Sequence, residues 1–265
     1  MLSARYKNNQ VLVTTIIAVA CVVGIGFLQQ LQISKLKSTN QIKSDEALKR
    51  EIDFERTHLN LMEQLPSFGF DNVIADFTFL NFLQYFGDKS VRDKTGYSLS
   101  PEYFEVILKH DPYFLEAYRF LSSSTTLYAG MPERTISLME ENLNFLSPKV
   151  PFHSYYIWRW KGIDELLFMG NAQAAKQSFE TAAQWASIYS DDESKDVKKI
   201  SRQTLQFLTT NPKSKSAQIS AWMLVLNNAF DDRTRKLAIN RIQALGGQVS
   251  VTPEGELKVE LPKKD

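Results

Sequence analysis

Three histidines, His58, His110 and His153, are the only imidazoles in the chain, and each stands alone in sequence. No cysteine, histidine or carboxylate spacing around them matches a metal site, so they read as surface or capping residues. The single cysteine, Cys21, lies inside an apolar run and excludes an intramolecular disulfide. Adjacent carboxylates occur at Asp164-Glu165 and Asp231-Asp232. Neighbours on a helix point to different faces, and carboxylates at a helix start act as caps, so both pairs read as structural. Neither a glycine-rich phosphate loop nor a nucleophile elbow is present. These residues predict no catalytic site, no metal and no cofactor. The alternative is an envelope-associated hydrolase whose site is assembled from distant residues.

The elements that would position any site begin with Val11 to Leu28, an uncharged and almost wholly apolar run of 18 residues. A helix of that length, at ~1.5 Å per residue, just crosses a ~30 Å hydrocarbon core. The run reads as an uncleaved transmembrane helix. A cleaved signal or lipoprotein box at Ala18-Val19-Ala20-Cys21 fits less well, because the chain stays apolar through Val22, Val23, Ile25, Phe27 and Leu28. Arg5 and Lys7 before the run nearly balance Lys35, Lys37 and Lys43 after it. The usual outcome for an N-terminal anchor places the large domain outside the cytoplasm. Formal charge is +1, from 31 basic and 30 acidic residues, which argues against nucleic acid as the main ligand.

After the run, a polar stalk carries Leu31, Leu36, Ile42, Leu48, Ile52, Leu59 and Met62 as one narrow apolar stripe. It reads as a helix packed on its own domain, the sharper alternative being a short coiled coil that makes a homodimer. Asp71 caps a helix to Phe86, and Ser100-Pro101 opens the next. Asp111-Pro112 starts a third reaching to near Gly130, Pro132 a fourth, and further helices fit 152–169, 172–188, 195–209, 216–229 and 232–245. Gln248–Val251 and Glu256–Leu261 alternate apolar and polar, a β-hairpin that must lean on the last helices or accept a partner strand.

Helix pairs at this period suggest a repeat. Asp111-Pro112, Ala117-Tyr118, Leu121, Thr135-Ile136, Met139, Leu143 and Pro148 make one unit. Trp158, Gly162, Gly170, Ala175, Phe179 and Ala182 make a second, and Phe77, Leu80, Phe104, Ile107, Leu108 and Pro112 a weaker third. The pattern resembles the tetratricopeptide repeat (TPR). It departs from it at Arg134, Thr135 and Asn142, where small residues are usual. Two longer matches, Gly69-Phe70-Asp71-Asn72 through Phe86-Gly87-Asp88 and Lys161-Gly162-Ile163-Asp164-Glu165, resemble a cyanobacterial family of membrane-anchored TPR-like proteins without an established activity. That resemblance implies an anchor plus a helical array, and a plasma or thylakoid membrane setting.

The expected protein is therefore all-α, a TPR-like helical-hairpin solenoid with an N-terminal transmembrane helix and a short C-terminal β-hairpin. Its parts are a tail (1–10), the transmembrane helix (11–28), a juxtamembrane stalk (29–66), the repeat domain (67–247) and the hairpin with its tail (248–265). In such an array the first helix of each pair lines a groove. That places Thr78, Phe82 and Tyr85, then Glu116, Arg119 and Ser123, then Tyr156, Arg159 and Ile163 toward a partner. Arginine and tyrosine are favoured interface anchors, so Tyr85, Arg119, Tyr156 and Arg159 are the expected contacts; the same aromatics could equally be inter-helix core. The expected function is a single-pass membrane scaffold or assembly factor that binds a protein partner, with a structural dimeric spacer as a further alternative.

Overall fold

The computed structural model of the protein describes residues 19, 22–26, 29–30, 45–210, 214–251 and 257–262. The chain divides into two units, Met1–Leu48 and Lys49–Asp265. Of the expected transmembrane helix only Val19 and residues 22–26 are described, and these are helical. The rest of that run, the tail 1–10 and residues 31–44 of the stalk lie outside the described residues. Among the described residues no helix is long and apolar enough to cross a membrane.

Almost all regular structure is helical. The first long helix, α1 (Asp45–Gln64), lays Leu59, Ile52 and Met62 on the main core. Polar contacts fix its register: Tyr103 Oη donates to Glu55 at 2.7 Å, Lys109 Nζ to Glu63 at 3.2 Å, and Arg56 lies 3.6 Å from Glu102. The stalk thus packs on its own domain from residue 49 onward.

The next helix, α2 (Asp71–Gly87), is apolar all round, so periodicity alone cannot say which face turns inward. Ala75, Thr78, Phe82 and Tyr85 are the buried set. A short helix, α3 (Lys89–Thr95), unanticipated from sequence, starts where the Asp88 carboxylate accepts the Val91 N–H. Then α4 (Ser100–His110), with proline in its first turn as expected, buries seven of its residues and forms the centre of the domain. Phe82 is fully buried against it, its ring centroid 4.6 Å from Phe104 and 5.8 Å from Tyr103. Each such aromatic pair adds about 0.5–1.5 kcal/mol beyond area burial. Asp71 is not the expected cap: it is the first helical residue, and its carboxylate is taken by Ser67 Oγ at 2.8 Å and His110 Nδ1 at 3.0 Å.

The third expected helix is broken in two. Helix α5 (Leu115–Leu121) passes into a π-helical segment, Ser122–Tyr128. This run of hydroxyl residues competes for backbone carbonyls; Ser123 Oγ donates to Arg119 O at 3.1 Å. The wider π turn closes with Ala129 N–H on Ser124 O at 3.0 Å. Then follow α6 (Pro132–Asn142), a 3-10 turn at Leu143–Phe145, α7 (Tyr155–Leu167), α8 (Ala172–Ala186) and α9 (Asp192–Thr210). Helices α7 and α8 fold back on each other closely because Gly162 has no side chain. A Cβ there would meet Ser178 at 3.2 Å and Phe179 at 3.3 Å.

At the C-terminal end, α10 (Lys215–Asn227) and α11 (Asp232–Ala244) pair around Ile219, Trp222, Val225, Ala238 and Ile242. The Asp231 carboxylate caps α11, accepting the Thr234 N–H at 2.9 Å and its hydroxyl at 2.8 Å. Strands β1 (Gln248–Val251) and β2 (Leu257–Glu260) are antiparallel, with Val249 opposite Val259. Both valines pack on the α10–α11 core, so the hairpin leans on the last helices as an isolated pair must. Its turn lies outside the described residues.

On α2 the two phenylalanines Phe82 and Phe77 differ sharply, the first fully buried and the second 54% exposed. Phe82→Ala is expected to lower unfolding free energy by about 3–5 kcal/mol, and Phe77→Ala by no more than about 0.5 kcal/mol. Urea titration of both variants checks the orientation of the helix; equal losses would place it wrongly.

Candidate functional site

Helix α7 carries the densest polar chemistry of the domain, half of it facing inward. Lys161, Asp164 and Glu165 are all buried. Lys161 pairs with Glu165 one turn on and reaches Glu140 of α6 at 3.0 Å, while Ser178 Oγ of α8 donates to Glu165 at 2.6 Å. Asp164 points the other way, toward the π segment, where Ser122 Oγ donates to it at 2.9 Å. The adjacent carboxylates thus face different helices, as helix geometry requires. Burial pushes the Asp164 carboxyl up to about 8, with Glu165 adding to the rise and the Ser122 and Thr126 hydroxyls opposing it. The partners of Asp164 are hydroxyls, and Thr126 itself donates to Thr135 at 2.9 Å.

The N-terminal end of α7 forms a second cluster, on the surface. His153, just before the helix, sits in a nest of aromatic rings: Phe152 stacks on it at 3.8 Å, Tyr155 lies at 5.0 Å and Tyr189 edge-on at 5.1 Å. The backbone N–H of His153 donates to Tyr189 Oη at 3.3 Å. Two carboxylates flank the imidazole, Asp191 Oδ2 at 3.7 Å from Nε2 and Glu193 Oε2 at 3.8 Å from Nδ1. Both distances exceed a hydrogen bond. Asp191 also caps α9, accepting from the Ser194 N–H and hydroxyl at 2.8 Å each; these bonds, the N–H first, hold its carboxyl below the usual range. Glu193 accepts from Tyr156 Oη at 2.6 Å. Burial and that carboxylate together raise the Tyr156 phenol. Among the described residues, His153, Asp191 and Glu193 are the group able to hold a metal ion, their ligand atoms lying within 4.8 Å of one another. Sequence spacing hid this cluster, since 38 residues separate His153 from Asp191. The acidic loop at 190–194 was legible only as solvated.

The four expected contact residues separate into different environments. Tyr85 belongs to the core: it is 9% exposed, its hydroxyl accepts the Leu99 N–H at 3.1 Å, and Arg92 covers its ring at 4.0 Å. Burial pushes its phenol up to about 12, the nearby Arg92 opposing. Thr78 and Phe82 are buried with it, so the face of α2 expected to line a groove is its inner face. The reason is that α2 has no polar stripe to mark its outside. Its outer face instead exposes Val73, Phe77 and Leu80, each more than half accessible and spaced four and three residues apart. Arg119 is exposed but paired with Glu116 at 2.7 Å. Tyr156 is half-buried and stacks on Trp160 at 5.5 Å. Arg159 is also half-buried, and its Nη1 is enclosed without a hydrogen-bond acceptor. Desolvation acts to lower its pKa, and Tyr156 opposes this.

Elsewhere on the surface, a shallow groove of about 310 Å³ runs along α9, lined by Lys195, Lys198, Lys199, Arg202, Gln203 and Gln206. Its lining is basic and amide, four cationic side chains and two glutamines. No protein-family model, curated protein or solved structure matches the chain.

Asp164 gives a test of the inner polar layer. Its carboxyl titrates higher folded than unfolded, so the native state holds the extra proton between about pH 4 and 8. Stability from this residue is full at low pH and falls as pH rises, by up to ~1.4 kcal/mol per unit for one proton. Asp164→Asn removes that decline. Urea titrations at acid, neutral and mildly alkaline pH should show the variant gaining on the parent steadily as pH increases; a constant difference would mean the carboxyl is not raised.

Proposed function

We propose that the protein is a membrane-anchored binding scaffold, a TPR-like helical array that holds a protein partner beside the bilayer. The observation that carries this reading is Arg159, a half-desolvated guanidinium with no ion-pair partner among the described residues and an enclosed nitrogen without an acceptor. Leaving such a donor unsatisfied is costly, and a carboxylate from a bound partner would satisfy it. Tyr156, three residues before Arg159 on the same helix, and the exposed Arg119 of α5 are side chains of the kinds that interfaces favour. The uncovered apolar ridge Val73–Phe77–Leu80 adds the hydrophobic area that such interfaces use and that isolated soluble domains seldom display. The repeat reading is supported by the helix pairs, by Gly162 meeting Ser178 and Phe179, and by the buried Ala175, Phe179 and Ala182 of α8. Anchoring rests on the apolar run 11–28 and its length.

An acidic segment of a protein is the partner this chemistry selects. Charge reversal at Arg159 and Arg119 together is expected to abolish partner capture from detergent extracts, with helicity by circular dichroism unchanged. Reversal of Arg159 alone costs at least ~10-fold in affinity, the effect of about 1.4 kcal/mol at an interface anchor. Capture that survives the double reversal would refute the scaffold reading. Full-length chain that is released from membranes by alkaline carbonate would refute the anchor independently.

A further inference from the structure

We propose that His153, Asp191 and Glu193 bind one divalent transition-metal ion, with Zn²⁺ as the best match to an imidazole and two carboxylates. The set is more than an acidic pair at a helix start. His153 Nε2 is enclosed and has no hydrogen-bond partner, while its side chain is only 13% exposed. The atom it faces, Asp191 Oδ2, stands 3.7 Å away. Two ligands bound at about 2.0–2.1 Å around a tetrahedral ion lie roughly 3.3 Å apart. The gap is therefore too wide for a hydrogen bond and close to the span that a bridging ion sets.

Each ligand is also held by something behind it, the arrangement that metal ligands require. Ser194 N–H fixes the far oxygen of Asp191, and its hydroxyl bonds the near one. Tyr156 Oη fixes Glu193 Oε1 and leaves Oε2 turned to His153. Phe152 and Tyr189 hold the imidazole plane. Because the carboxylates approach opposite ring nitrogens, an ion taking one nitrogen draws the carboxylate beside the other in by up to about 1.5 Å, from within 4.8 Å to the tetrahedral separation. Glu193, on the surface and 56% exposed, makes that move with Oε2 while Oε1 keeps its bond to Tyr156. The exposed side leaves room for water to complete the shell. Asp191 and Glu193 open α9, and His153 precedes α7, so the ion ties the entrance of one helix to that of the other. Its role is a cross-link at the edge of the α7–α8–α9 layer.

The test uses the full-length protein freed of metal with a chelator and titrated with ZnCl₂, with CaCl₂ as the hard-cation comparison and CoCl₂ as a spectroscopic reporter. One Zn²⁺ per chain should bind, with little uptake of Ca²⁺. Cobalt should develop the visible bands of a low-coordinate nitrogen–oxygen site. At a free Zn²⁺ level about 100 times Kd, the melting temperature should rise by roughly 5–10 °C. Glu193→Gln and His153→Gln should each weaken binding at least tenfold, while His58→Gln leaves it unchanged. Glu193→Gln changes an exposed residue, so its result stands even if the His153 variant folds poorly. Absence of saturable uptake overturns the proposal. Uptake that survives Glu193→Gln undiminished also overturns it.

Discussion

Rotation of α7 about its own axis is the constraint on which the surface chemistry depends. Lys161, Asp164 and Glu165 cannot face a hydrocarbon core unpaired, because a buried polar group without a hydrogen-bond partner, charged or not, is costly. Their partners come from three different elements: Glu140 of α6, Ser178 of α8 and Ser122 of the π segment. Only one rotation of the helix satisfies all of them together. A buried ion pair of this kind contributes little net stability, and its value lies in excluding other arrangements. Once α7 is fixed, Tyr156 and Arg159 fall on its half-buried side and His153 meets the start of α9.

The π segment belongs to the same constraint. Ser122, still in regular helical phase at the end of α5, reaches Asp164, and the wider turn that follows changes the phase of the hydroxyls beyond it. Small side chains do the corresponding work between α7 and α8, where Gly162 lets backbones approach and Ser178 reach Glu165. Polar satisfaction and close packing are thus one requirement here, met by residues too small to hold the helices apart.

The aromatic core around Phe82 and Phe104 does the opposite kind of work. It supplies area rather than direction, and its excess is visible on the outside of α2 as Val73, Phe77 and Leu80. A stable interior of this kind holds an apolar surface in place without the ordering cost of a flexible one. The polar cluster at His153 sits on rigid supports as well: an N-cap, a tyrosine hydroxyl and stacked rings.

By itself the sequence determined the approximate positions of most helices, the C-terminal hairpin, and the succession of α7 and α8 as a pair. Prolines, glycines, capping carboxylates and alternation act within a few residues, so their effects are local and legible. It did not determine the inner face of α2, where both faces are apolar, nor the π segment, where a hydroxyl run competes with the regular helix. The short α3 escaped for want of any periodic signal. Of the expected contacts, Arg119, Tyr156 and Arg159 lie exposed or half-buried, whereas Tyr85 is core. The meeting of His153 with Asp191 and Glu193 was decided only by the tertiary structure. Contacts across 38 residues depend on how α7, α8 and α9 pack, and no local pattern encodes that packing.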